Sequence, residues 1–305
     1  MKDKSTKNLR KSMNRGSVEH ESKAAENEGE IMTLAKKEVI SIPPTKSIKE
    51  AAEMMIEHEF RRLPVTHPGS NKLLGIVTAM DILDFLGGGS KFDIIEKKHD
   101  DNFLSAINDS VKEIMTRDVI SISPKYSIKE SVNVMTENGI GSLPIVDKEG
   151  KVVGIVTERD FALALAGSLS NETVGDIMVK DVITTTLGTP IESCSKIMVR
   201  NNLRRIPVVE EDKLVGIVTS TDIVRFFGDK EMFASMTSTS GLDVLKRQIS
   251  DIVKPNISVT ESYVKLGDLC DLLAEKNIGG VPVVDNDKLV GIITERDILN
   301  TVLDK

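Results

Sequence analysis

The sequence predicts an α+β protein built from four copies of one β-α-β-β-α unit, and three recurring strings predict it. GIVTAMDIL begins at Gly75, GIVTERDFA at Gly154, GIVTSTDIV at Gly216 and GIITERDIL at Gly291. Ahead of each lies a proline string: FRRLPVT from Phe60, IGSLPIV from Ile140, LRRIPVV from Leu203 and IGGVPVV from Ile278. Further ahead lie KEVISIPP from Lys37, RDVISISP from Arg117, KDVITTTL from Lys180 and KPNISVTE from Lys254. The repeats cover 31–89, 111–167, 174–228 and 249–303. Residues 90–110 and 229–248 read as partly helical linkers, and the polar residues 1–30 as a disordered tail.

Each repeat opens on a β-branched run that predicts a strand, Val39-Ile40-Ser41-Ile42 in the first. A helix follows. Ser47-Ile48-Lys49-Glu50 and Ser127-Ile128-Lys129-Glu130 have the Ser and Glu of a capping box, in which side chain and backbone satisfy each other across the first turn. Repeat three has Thr189-Pro190-Ile191-Glu192, which places Pro190 at the first helical position. Repeat four lacks the box, because Lys265 stands three residues after Ser262. In the first helix Ile48, Ala51, Ala52 and Met55 recur at i, i+3, i+4 and i+7 and form one apolar face. Two strands come next, Leu63-Pro64-Val65 and Leu74-Gly75-Ile76-Val77 in repeat one, separated by turn formers. The second helix starts after Thr78.

The copies differ in an ordered way. Repeats one and three carry Arg61-Arg62 and Arg204-Arg205 before the proline. Repeats two and four carry Gly141-Ser142 and Gly279-Gly280, and continue to Thr-Glu-Arg-Asp. The motif acid advances by 79 residues from Asp81 to Asp160, by 62 to Asp222 and by 75 to Asp297. Long, short, long reads as two tandem pairs, one with two and three with four.

A chain of 305 residues exceeds one core. Its 40 Lys+Arg against 47 Asp+Glu give −7, which argues against a nucleic-acid coat or a membrane-surface protein. Aromatics are 3%, so the core is aliphatic and a base-stacking platform is excluded. Cys194 and Cys270 lie in helix-like segments and read as buried thiols of a reducing compartment. The four histidines have no zinc-site spacing. No apolar run reaches the ~18 residues of a membrane span, and the N-terminus has no signal-peptide pattern, so a soluble cytoplasmic protein is expected.

Thr-x-x-Asp between a strand and a helix has two readings. It is a capping box, with the acid at the positive end of the helix dipole. It is equally a place where an anion meets free N–H groups and an Asp accepts two hydroxyls. The arginines favour the second reading, since a capping box needs no basic partner and a guanidinium grips phosphate bidentately. Gly141, Gly279 and Gly280 either leave room for a ligand or permit close strand packing. Gly87-Gly88-Gly89-Ser90-Lys91 lacks the Walker order and follows a helix, so it reads as a helix end and hinge. No Ser/His/Asp or Cys/His set is identifiable by spacing, and a non-enzymatic protein is expected.

Four GIVTxxD strings in register with the proline strings resemble CBS domains, and two in tandem resemble a Bateman module. The whole arrangement, with Arg-Arg-hydrophobic-Pro-Val and the GGGSKF run from Gly87, is similar to archaeal relatives of the gamma subunit of AMP-activated protein kinase. The resemblance implies paired repeats, two modules in a pseudo-symmetric disc, and AMP, ADP or ATP in the clefts between paired repeats. It implies that Asp81, Asp160, Asp222 and Asp297 hold ribose hydroxyls. Thr78, Thr157, Thr219 and Thr294, with Thr221, would lie by phosphate or ribose. Arg61, Arg62, Arg204 and Arg205 would hold phosphates. The partner's first strand, through Val119 and Ile120 or Ile257 and Ser258, would line the adenine. Repeats two and four would borrow charge across the disc.

The function expected is therefore a nucleotide-responsive regulator whose ligand biases module geometry. A kinase-like or other protein effector is implied by analogy alone, and self-association as a homodimer is left open. Three other readings stay open. An S-adenosylmethionine-type ligand is cationic and suits two Arg pairs poorly. A nucleic-acid-associated regulator would use the basic arm Lys2–Arg15. A scaffold would need no ligand.

Overall fold

A computed structural model of the chain describes residues 28–87, 89–165, 172–211, 213–228 and 242–303. Most of the predicted tail and of the second linker lies outside these residues. Residues 28–30 are described, and Gly29 N–H donates to the Pro124 carbonyl at 2.7 Å.

Each repeat forms one two-stranded antiparallel sheet. The pairs are β1 (Arg62–Thr66) with β2 (Leu73–Thr78), β3 (Ser142–Val146) with β4 (Val152–Thr157), β5 (Arg205–Glu210) with β6 (Lys213–Thr219), and β7 (Gly280–Asp285) with β8 (Lys288–Thr294). The helices before each sheet are α1 (Ile48–Glu57), α3 (Ile128–Glu137), α5 (Ile191–Arg200) and α7 (Leu266–Lys276). Those after are α2 (Ala79–Gly87), α4 (Glu158–Leu165), α6 (Ser220–Gly228) and α8 (Glu295–Leu303).

The local signals predicted from sequence operate as read. Ser47 and Ser127 each accept the N3 amide and receive the N3 glutamate on their own N–H, forming both capping boxes. The buried face of α1 is Ile48, Ala51, Ala52 and Met55. In β1, Leu63 and Val65 face the core beside Val77 of β2, and all three are fully buried.

Two details differ. Pro190 is the residue before α5, with extended ψ of 144°, and is not its first helical residue. The first amide of that helix, at Ile191, is satisfied instead by the Arg247 carbonyl at 2.8 Å. The opening β-branched runs are not continuous strands either. Each makes one parallel bridge: Ile42 to Val65, Ile122 to Ile145, Thr185 to Val208 and Thr260 to Val283. The cause is the proline of the core string. Pro64 accepts from Ile42 N–H at 2.9 Å, but it has no N–H to extend the ladder.

The opposite sheet edge is taken by a segment exchanged between tandem neighbours. Thr116, near the start of repeat two, bridges Ile76 of repeat one, and Lys36 of repeat one bridges Ile155 of repeat two. Lys254 and Ile217, and Val179 and Ile292, do the same in the second pair. The motif glycine seats this segment. A Cβ on Gly75 would lie 2.8 Å from the Thr116 carbonyl oxygen and 2.6 Å from Met115 Sδ.

The bridges also correct one alignment. Lys254 occupies the place of Lys36 and Thr116, one position before the string match to Lys37 and Arg117.

The compact units are not the tandem pairs. One comprises Ile40–Val119 with Ile183–Ile257, hence repeats one and three; we call it the 1/3 unit. Here α1 packs on α6 and α2 on α5, and both repeats share one continuous core that includes Phe85 and Phe227. The other, the 2/4 unit, joins residues up to Val39, Ile120–Val182 and the chain from Ser258. Its α4 packs on α8, and each repeat keeps its own core with guests, among them Ile31 and Met32 in repeat two and Val174 in repeat four. Leu299 of repeat four packs in the core of repeat two, and Ala162 of repeat two in that of repeat four.

Cys194 and Cys270 are buried. Desolvation pushes Cys194 up to about 12 and, with Asp271 and Glu295 adding to it, Cys270 to about 11. Both thiols are therefore protonated and inert at neutral pH. Native protein is expected to take no iodoacetamide on either cysteine by mass spectrometry, and to take two once denatured. Native labelling at the denatured rate would contradict this burial.

Candidate functional site

The site is built where the second strand of each sheet turns into a helix. Thr78 ends β2, and both its N–H and its hydroxyl donate to Asp81 Oδ2, at 2.7 and 2.6 Å. Thr157 meets Asp160 at 2.8 and 2.7 Å, Thr219 meets Asp222 at 3.0 and 2.5 Å, and Thr294 meets Asp297 at 2.8 and 2.7 Å. In repeats one and three the Asp N–H returns a bond to the Thr hydroxyl at 3.2 Å. The capping reading is thus realised at all four positions, and it uses only Oδ2.

Strand register brings the arginines to this turn. Arg62 stands opposite Thr78, and Arg205 opposite Thr219, so each pair shares one face of its sheet. Ser142 and Gly280 hold the equivalent places opposite Thr157 and Thr294. Arg61 and Arg204 are joined to the turn through their backbones. Their carbonyls accept the first helical N–H groups, Ala79 at 2.8 Å and Ser220 at 2.9 Å. Side-chain alternation along a strand sends the two members of each Arg pair to opposite faces, and the register shows which of them stands opposite the motif Thr. Arg205 has one buried guanidinium nitrogen, Nη1, without a hydrogen bond, although the residue has a partner elsewhere.

In the 1/3 unit the second oxygen of each acid meets a lysine that sequence reasoning missed. Lys91 Nζ pairs with Asp81 Oδ1, and Lys254 Nζ lies 3.0 Å from Asp222 Oδ1. Arg225 Nη1 is 3.5 Å from the same Asp222 oxygen. The acids themselves are nearly covered, at 11% and 6% side-chain exposure. Lys91 belongs to the glycine run read as a simple helix end and hinge. The signal that could have found it is its position just past the helix that carries Asp81.

The Thr-Glu-Arg-Asp strings do something different. Arg159 Nε donates to Glu295 at 2.6 Å, and Arg296 Nε donates to Glu158 at 2.7 Å, a reciprocal clamp between repeats two and four. Arg159 also reaches Asn277 Oδ1, and Arg296 the Gly139 carbonyl at 3.0 Å. These arginines are structural, which explains why both repeats spell the same four residues. Thr221 stands at the corresponding helix position in repeat three, half-buried.

Val119 and Ile257 belong to the 1/3 unit, and Ile120 and Ser258 to the 2/4 unit. Ile120 is 38% exposed, and its counterparts Ile40 and Ile183, which the sequence reading did not single out, are 36% and 41% exposed. Of the undecided glycines, Gly280 has φ of 150°, a backbone requirement that explains it without a ligand.

One constellation invisible in the spacing also forms. His99 Nδ1 lies 2.8 Å from Ser105 Oγ, and His99 Nε2 lies 3.0 Å from Asp109 Oδ2. Asp109 is held by Lys98 at 2.6 Å and by Ser110 N–H at 2.8 Å as well. Burial pushes the Asp109 carboxyl up, but these donors outweigh it and bring it down to about 2. With Ile48 N–H on the Asp109 carbonyl at 3.0 Å, the set staples the linker to repeat one. Among the described residues no cluster of His, Cys, Asp and Glu could hold a metal, and no helix is long and apolar enough to cross a membrane.

Comparison with known proteins decides the family, because a CBS-domain model matches residues 29–88, 111–167, 174–229 and 249–304. The chain belongs to the CBS-domain family. Protein MJ1225 of Methanocaldococcus jannaschii is 39% identical over 272 residues, which cover 88% of this chain and 97% of that one. Its crystal structure, described as that of a proposed archaeal homologue of g-AMPK, matches with a TM-score of 0.86 at 38% identity, over 90% of this chain and 99% of that chain. A 33.4 kDa protein of the Thermofilum pendens ribosomal RNA operon is 28% identical over 258 residues, 85% of this chain and 86% of its own. The resemblance read from the four strings, to CBS proteins related to the kinase gamma subunit, is thereby borne out. CBS repeats also occur beside catalytic domains. Inosine-5'-monophosphate dehydrogenase of M. jannaschii is 38% identical over 114 residues, 37% of this CBS chain and 22% of that enzyme.

Proposed function

We propose that this CBS-domain chain is a regulatory sensor of adenine nucleotides, AMP, ADP or ATP, and that it performs no chemistry on them. In this reading Asp81 and Asp222 accept ribose hydroxyls on Oδ1. Arg62 and Arg205 bind phosphate, assisted by Arg61 and Arg204, with Thr78, Thr219 and Thr221 beside them. Val119, Ile257 and the exposed isoleucines offer apolar surface to the base. The carrying observation is that two repeats of one unit have an arginine in register with the motif Thr, beside an acid whose capping role needs one oxygen only. A capping box requires neither the spare oxygen nor the arginine.

Asp160 and Asp297, with Thr157, Thr294, Ile120 and Ser258, form the corresponding ribose and base positions of the 2/4 unit. Their Arg159 and Arg296 are engaged by glutamates, so phosphate selectivity is assigned to the 1/3 unit. We assign the nucleotide-bound form a protein effector and place the chain in the cytoplasm, a reducing compartment in which two free buried cysteines persist.

At one hundred times its dissociation constant a nucleotide would stabilise the fold by about 2.7 kcal/mol. For a unit of this size that raises Tm by about 5–10 °C. Melting curves with AMP, ADP, ATP and S-adenosylmethionine in parallel test this. Flat curves with all three nucleotides would sink the reading, and a shift with S-adenosylmethionine alone would replace the ligand.

A further inference from the structure

Deepening the nucleotide reading, on which it rests, we propose that Lys91 and Lys254 are displaceable counter-ions. They would make the two acid sites of the 1/3 unit select ligands that carry an anionic group next to a diol.

The two lysines arrive by unrelated routes at the same atom. Lys91 is delivered by a backfold after α2. Gly89 N–H donates to the Asp84 carbonyl and Lys91 N–H to Asp84 Oδ1, both at 3.2 Å, and Ser90 Oγ is 3.4 Å from Asp84 Oδ2. The backfold needs its glycine, because a Cβ on Gly89 would fall 1.8 Å from Asp84 Oδ1. Lys254 is delivered by the exchanged segment that bridges Ile217 of β6. A merely structural ion pair would not be expected to recur through two different pieces of chain. Both lysines choose the oxygen that the capping box leaves over.

The exchange chemistry follows from charge. A diol can donate to Oδ1 only after the ammonium has left it. The ammonium is mobile enough to leave. Lys254 is 61% and Lys91 22% exposed, on carboxylates 6% and 11% exposed, and a lysine stem is flexible. The displaced ammonium has then lost its ion pair, and an anion bound beside the site restores one. A nucleotide brings that anion on the same molecule as the diol. A nucleoside brings only the diol and must oppose the lysine, and a cationic sulfonium opposes it further. Arg225, 3.5 Å from Asp222 Oδ1, holds the carboxylate during the exchange.

The test is affinity for AMP and for adenosine, by competition against a fluorescent AMP analogue on the full chain. Wild type, Lys91→Met, Lys254→Met and the double variant are compared, with Lys91→Arg and Lys254→Arg as charge-keeping controls and melting curves to confirm folding. In the Met variants adenosine is expected to tighten and AMP to weaken, so that their ratio falls at least about tenfold, the scale of one charged hydrogen bond. The Arg variants are expected to keep the ratio within about threefold. Adenosine affinity that stays unchanged, falls or remains undetectable in the Met variants overturns the counter-ion role, whatever AMP does. Wild-type protein that binds neither probe overturns the nucleotide reading itself, a result the lysine variants do not produce.

Discussion

Asp222→Asn is expected to remove most of the nucleotide-induced rise in Tm from its site, with a smaller fall in the ligand-free melting point from loss of the Lys254 and Arg225 ion pairs. The asymmetry comes from the two oxygens. Oδ2 serves Thr219 N–H and hydroxyl and starts α6, a role an Asn oxygen can take over. Oδ1 is the acceptor proposed for the ribose, and Asn would present an NH₂ donor there, which cannot accept two hydroxyls. Asp222→Ala should lose the ligand effect as well, together with about 1 kcal/mol of capping. Thermal shift and calorimetric titration with AMP separate the cases. A full ligand response in the Asn variant would mean that Asp222 caps its helix and does not accept the ligand.

The second large effect is structural. Phe227→Ala should destabilise the 1/3 unit by about 3–5 kcal/mol, because the ring is buried in the core shared by repeats one and three. Its centroid lies 6.2 Å from that of Phe103, which belongs to the linker after repeat one. At 2–4 °C per kcal/mol for a unit of this size, Tm would fall by about 6–20 °C. Hydrogen exchange is the discriminating readout. A shared core requires faster exchange in α1 and α2 of repeat one, far away in sequence, as well as in α5 and α6. Exchange that accelerates in repeat three alone would divide the core in two. Tyr263→Ala, at a position 72% exposed, should stay within about 0.5 kcal/mol of wild type.

The same contrast between near and far governs what could be read in advance. Ser47 with Glu50, Thr78 with Asp81 and the apolar face of α1 are interactions over three or four residues, so contiguous letters determine them. The β-branched runs before each helix were misjudged for a local reason that could have been applied. A proline at the centre of the neighbouring strand limits any third strand to a single bridge. Lys91 was legible only as a neighbour of the Asp81 helix along the chain, because the backfold through Gly89 onto Asp84 that brings it to the acid depends on how one loop closes. The pairing of Arg159 with Glu295 was not legible either, since 136 residues separate them.

By itself the sequence determined four CBS repeats, their order of strands and helices, the boxes at each strand-to-helix turn and the difference between arginine-bearing and Thr-Glu-Arg-Asp copies. Only the tertiary structure decided that repeats one and three share a core, that two and four are joined by crossed ion pairs, and that each spare carboxylate oxygen in the 1/3 unit meets a lysine. The reason is range. Capping and amphipathicity are satisfied within one turn of chain, whereas the choice of packing partner is made by whole apolar faces whose complementarity exists only once each repeat has folded.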